Sequence, residues 1–94
     1  MRTVRLTPEA ERALGDQVAY LVAKDATMAA QALAARVETF LTQTLAAYPR
    51  TGRHIIERDL WETWIPNRRL VAWYVFDANE LTVLTFWHTA QDRS

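Results

Sequence analysis

Near Gly52 the apolar residues of this chain change their period, and no other feature limits the fold as much. Upstream, Ala10, Leu14, Val18, Leu21 and Val22 recur at helical spacing, and so do Leu33, Val37, Phe40, Leu41, Leu45 and Tyr48. Each set falls on one side of a helix, so each helix has an apolar face to bury. Downstream, Ile55-Ile56, Leu60 to Ile65, Leu70 to Phe76 and Leu81 to His88 are rich in β-branched and aromatic residues and read as strands. Helices followed by strands satisfy both sets of apolar faces by packing one layer on the other.

Local signals sharpen the outline. Val4-Arg5-Leu6 alternates as a short first strand, and Thr7-Pro8-Glu9 supplies a capping hydroxyl, a proline at the first helical position and an early acid. Gly15 costs that helix about 1 kcal/mol relative to Ala, so the helix depends on packing. Lys24-Asp25-Ala26-Thr27 interrupts the pattern and offers two cap candidates, while Pro49 and Gly52 end the second helix. So short a connection makes an antiparallel helical hairpin. Pro66-Asn67 and Asp77-Ala78-Asn79-Glu80 are turns of hairpin length, which makes the last three strands an antiparallel meander. The run Leu70 to Phe76 has no polar side and reads as a central strand. The expected fold is α+β, in the order β-α-α-β-β-β, with the helical hairpin packed on a small twisted antiparallel sheet in one domain over residues 1–94. Leu14, Val18, Leu21, Leu33, Val37, Phe40, Leu41, Val71, Trp73, Val83 and Phe86 are its expected core.

Half of the 94 residues are hydrophobic, enough for a core without staples, and there is no cysteine to form disulfides, thiolate metal sites or a thiol nucleophile. No cofactor or metal is expected. The longest apolar run, Leu70 to Phe76, is too short to span a membrane, and acidic residues occupy the place of a signal peptide's apolar segment, so the expected location is cytoplasmic. Eleven basic residues balance eleven acidic ones, unlike a domain built to hold phosphate backbones. Ten of the eleven are Arg, and Arg50, Arg53, Arg58, Arg68 and Arg69 cluster in one stretch. Guanidinium donors suit carboxylates as well as phosphates.

Gly52-Arg53, Glu57-Arg58-Asp59-Leu60, the strand around Trp73-Tyr74, and the ending His88-Thr89-Ala90-Gln91-Asp92-Arg93 stand in an order that resembles the RelE/ParE superfamily of bacterial type II toxins. The resemblance spans nearly the whole chain. It implies a growth-inhibiting toxin held inactive by a cognate antitoxin protein in a hetero-oligomer. ParE-like members act on DNA gyrase, and RelE-like members cut messenger RNA on the ribosome. The His-to-Asp ending is more similar to the ParE branch. A family member that keeps only antitoxin binding is a third reading.

Cleavage of RNA needs a base, an acid and cations facing the developing phosphorane charge, and His88 with Arg53, Arg58 and Arg69 could supply them. In the resemblance, the ribonuclease branch usually adds several lysines and a tyrosine or further basic group close to the C-terminus, whereas this chain has one lysine, Lys24, and no tyrosine after Tyr74. The alternative is structural: His88 ends a strand row with Phe86 and Leu84 and pairs with Asp92. Trp61 and Trp64, three apart in a strand, point to opposite faces, one to the core and one toward a partner. Trp61, Trp64, Arg68 and Arg93 are the candidate partner-binding residues. His54 is expected in solvent.

Overall fold

The structure, a computed structural model, describes residues 1–66 and 70–89. Strand β1 (Thr3–Leu6) leads into helices α1 (Pro8–Ala23) and α2 (Thr27–Thr39). Strands β2 (Arg53–Ile55), β3 (Leu60–Trp64), β4 (Leu70–Phe76) and β5 (Glu80–His88) follow. They form one five-stranded sheet in the order β1-β5-β4-β3-β2. The meander is antiparallel throughout, whereas β1 runs parallel to β5. The sheet is therefore mixed at one edge, and the strand read at Ile55-Ile56 is the short β2, shifted toward Arg53, which makes four strands after the helices where the order β-α-α-β-β-β counts three.

Thr7 joins the helical layer to the sheet. Its hydroxyl accepts from the Ala10 amide at 3.1 Å as the α1 cap and donates to the Leu84 carbonyl at 2.6 Å. Helix α1 ends where Asp25 takes a left-handed φ of 60° and the Ala26 amide reaches back to the Leu21 carbonyl. Neither Asp25 nor Thr27 caps α2, whose N-cap is Ala26 without a side-chain bond. Asp25 stops one helix rather than starting the next.

Beyond Thr39 the helix widens into a π-helical turn, Phe40–Leu45, marked by the bond from the Ala46 amide to the Leu41 carbonyl. Phe40, Leu41, Leu45 and Ala46 are all buried at this wider turn, the first three within the core. Tyr48 leaves that stripe and is 69% exposed. Val22 also faces solvent.

The core lies between α1, α2 and one face of the sheet. Leu33, Val37, Leu41, Leu45, Ala72, Tyr74, Leu81, Val83 and Phe86 are buried there, with Leu14, Val18 and Leu21 half-buried at its margin. Alternation along β4 puts Leu70, Ala72 and Tyr74 on the helix side, which sends Val71 and Trp73 to the outer face. The expectation that Val71 and Trp73 join the helix-side core is thus corrected: Val71 is buried on the other face, and Trp73 is only half-buried.

A β-bulge between β4 and β5 pairs Trp73 with Thr85 but Tyr74 with Val83, leaving Leu84 as the extra residue. Core residues of β5 are consequently Leu81, Val83 and Phe86, not a strict alternation. Leu84 drops out of the row expected to hold Phe86 and His88.

Candidate functional site

The outer face of the sheet carries a polar and aromatic cluster. Register places Arg53 opposite Glu62 and Glu62 opposite Trp73, so three adjacent strands present these side chains side by side. The Glu62 carboxylate, only 8% exposed as a residue, accepts from Trp73 Nε1 at 2.8 Å and from Arg53 at 3.2 Å. A buried carboxylate needs such donors, since leaving it unpaired costs several kcal/mol. The Arg58 guanidinium stands 5.1 Å from the centre of the Trp73 ring, and Trp87 meets the same ring edge-on at 6.3 Å. Glu62 is a site residue that the linear sequence does not single out. The two-residue alternation from Glu62 to Trp64 was the signal available for it.

His88 is placed differently. It pairs with Leu70, a helix-side core residue, whereas Arg53 pairs with Glu62 on the outer face. Register thus puts half-buried His88 and the exposed Arg53 on opposite sides of the sheet. Arg58 sits on the outer face with Arg53, so two members of the RNA-cleaving set share a surface and His88 does not join them. Arg68, Arg69, Asp92 and Arg93 lie outside the described residues, and with them the His88–Asp92 pair. Trp61 is half-buried against the core and Trp64 is 59% exposed, so the two indoles do take opposite faces. His54 is exposed, as expected, with its ring stacked on Trp61 at 4.9 Å and Nε2 3.6 Å from the Asp59 carboxylate.

A second group of residues organises the turn before β2. The Tyr74 hydroxyl donates to the Pro49 carbonyl at 2.6 Å and accepts from the Gly52 amide at 3.2 Å, tying the Pro49–Thr51 turn to the central strand. Burial pushes the Tyr74 phenol above its usual range, against a smaller opposing effect from the Gly52 amide. Thr51 closes the turn from its own side, its hydroxyl donating to the Tyr48 carbonyl.

Shallow grooves flank this turn. One, of about 590 Å³, runs between Arg2 and the stretch from Ala47 to Thr51. The other, of about 750 Å³, lies between Phe40, Arg53, Glu62, Trp64 and Pro66. Arg2 is fixed by bonds to the Asp77 and Ala46 carbonyls, and both Arg2 and Arg50 approach the Phe76 ring, at 5.5 and 5.9 Å. Among the described residues no group of three His, Cys, Asp or Glu is disposed to hold a metal ion, and no helix is long and apolar enough to cross a membrane.

The family model for the ParE toxin of the type II toxin-antitoxin system parDE matches residues 4–93. The chain belongs to the ParE toxin family. The fold agrees: a solved structure described as the chromosomal ParDE TA system from P. aeruginosa superposes with a TM-score of 0.75 at 17% identity, covering 94% of this chain and 96% of that one. No curated protein matches the chain significantly. As a ParE-family chain, this protein is a type II toxin of the RelE/ParE superfamily, and its mixed sheet under a helical hairpin is the fold of that structural neighbour.

Proposed function

We propose that this ParE-family chain inhibits growth by binding DNA gyrase in the cytoplasm, and that a cognate antitoxin neutralises it by forming a hetero-oligomer with it. The family match over residues 4–93 carries this reading. Its support from geometry is the separation of His88 from Arg53 across the sheet. General acid–base cleavage requires base, acid and cations converging on one phosphate within hydrogen-bond reach, and a sheet between them prevents that. Binding has no such requirement. An inhibitor needs a rigid face with aromatic and Arg anchors, which the outer face has in Trp73, Trp64, Arg53 and Arg58.

The deciding experiment measures supercoiling by purified gyrase and integrity of ribosome-bound messenger RNA in parallel. Inhibited supercoiling with intact message is the expected result. Message cut in the ribosomal A site, with cleavage abolished in a well-folded His88→Gln variant, would replace gyrase with the ribosome as target. Antitoxin binding with neither effect would leave a non-toxic binding module.

A further inference from the structure

We infer that Glu62 is a specificity-determining residue: its carboxylate closes the outer face of the sheet to phosphodiesters and leaves that face to a protein partner, the choice of partner resting on the gyrase reading proposed above. The parts of a single-stranded nucleic-acid site are otherwise assembled there. Arg53 and Arg58 supply guanidinium donors, and Trp73 and Trp87 supply half-buried indoles beside them. Trp64, two residues beyond Glu62 on β3 and therefore on the same face, adds a ring that is 59% exposed. Aromatic rings that stack on bases and cations that follow the backbone are what such sites are made of.

Glu62 engages these donors first. Arg53 directs Nη2 at Oε1, and the Trp73 indole N–H, which on an open face would donate to a phosphate oxygen, is committed to Oε2 at 2.8 Å. The Arg53 side chain is 76% exposed and that of Glu62 only 9%, so the cation covers the anion. A phosphodiester arriving at Arg53 meets a negative charge fixed beneath it, where burial leaves little water to screen the repulsion. The pair thus removes one of the cations that binding to a phosphate backbone depends on. A protein surface makes no such demand. Arg58 rests on the Trp73 ring and pairs with no carboxylate among the described residues, so its donors remain for a carboxylate of the partner, with Trp64 as the apolar anchor. The zero net charge of the whole chain points the same way.

The test is fluorescence anisotropy of a labelled single-stranded oligonucleotide with the full chain across a salt series, beside gyrase supercoiling on the same preparations. Wild type should bind the oligonucleotide weakly. Glu62→Gln keeps an acceptor for Trp73 and removes the charge, so it should bind about 10-fold more tightly or better at low salt. Its log K should also fall with log salt more steeply by about 0.7, the increment for one further phosphate contact on a single strand. Adding Arg53→Gln to Glu62→Gln should erase the gain. Glu62→Met, which fills the same space without a charge, should gain likewise and serves where the Gln variant folds poorly. A role confined to stability predicts no gain in either. Oligonucleotide affinity unchanged in folded Glu62→Gln and Glu62→Met would overturn the role of Glu62, whatever the gyrase result. Tight binding by wild type, lost in Arg53→Gln, would overturn it as well. A gain in Glu62→Gln with no inhibition of gyrase by wild type would remove the gyrase reading, and the protein occupant with it, while sparing the exclusion of phosphodiesters.

Discussion

Tyr74 and Pro49 are joined by a 2.6 Å hydrogen bond from a fully buried phenol to a turn carbonyl twenty-five positions earlier. One side chain of the central strand thereby sets the position of the turn that precedes the sheet's edge strand. The Gly52 amide completes the arrangement by donating to the same oxygen. The turn lines both grooves, so their shape depends on a residue buried in the core.

Tyr74→Phe keeps the ring and removes the hydroxyl, so it strands the Pro49 carbonyl and the Gly52 amide. The expected loss is about 1 to 3 kcal/mol in chemical denaturation, from a total of about 5 to 10 for a domain of this size. The raised phenol pKa adds a pH dependence. Tyr74 stays protonated in the fold while the unfolded chain ionises near 10.0, the ordinary value of a phenol. Its contribution is complete below that pH and is lost as pH rises toward the folded value. The alkaline fall in stability should therefore be shallower in Tyr74→Phe than in wild type.

The two glycines should respond in opposite directions to the same substitution. A Cβ on Gly52 would stand 2.5 Å from the Tyr74 hydroxyl and closer still to the Glu62 carbonyl, both held by the sheet. Gly52→Ala should cost about 1 to 3 kcal/mol or more and displace the turn. A Cβ on Gly15 meets nothing within 4 Å on the exposed side of α1. Gly15→Ala should raise stability by about 0.5 to 1 kcal/mol. Thermal melts of the pair check both signs.

Glu62→Gln retains an acceptor for Trp73 Nε1 and loses the charge facing Arg53, whereas Glu62→Ala loses both. Stability should fall further in the alanine variant, by about 1 to 3 kcal/mol relative to wild type, because Trp73 and Arg53 are left without this partner. A tryptophan emission spectrum unchanged in Glu62→Ala would show that the carboxylate does not position the Trp73 ring.

His88→Gln separates fold from chemistry. With His88 in a structural role at the end of β5, the variant should melt at a lower temperature while inhibiting gyrase in proportion to its folded fraction. Supercoiling assays on protein quantified by circular dichroism provide the comparison.

Most of the layer arrangement was legible from periodicity. The helical stripe from Leu33 to Leu45, the capping role of Thr7 and the turn at Asp77 are local patterns, and each recurs in the structure with its expected neighbours. Asp77 holds its turn by accepting from the Asn79 and Glu80 amides, at 2.7 and 2.8 Å, and these donors lower its carboxyl pKa. Such features are legible because their determinants lie within a few residues of each other along the chain.

The assignment of faces was not legible in the same way. Leu70 to Phe76 has no polar side, so composition alone cannot say whether Tyr74 or Trp73 points to the helices. Register decided it, by setting Tyr74 opposite Trp61 and Trp73 opposite Glu62. Likewise the single extra residue at Leu84 moved β5 out of strict alternation, an event that only pairing with β4 reveals. The amino-acid order by itself determined the helical hairpin, the meander and the family. Tertiary structure alone decided that Arg53, Arg58, Glu62 and Trp73 share a face from which His88 is excluded, because side-chain direction in a sheet depends on hydrogen-bond register between distant segments.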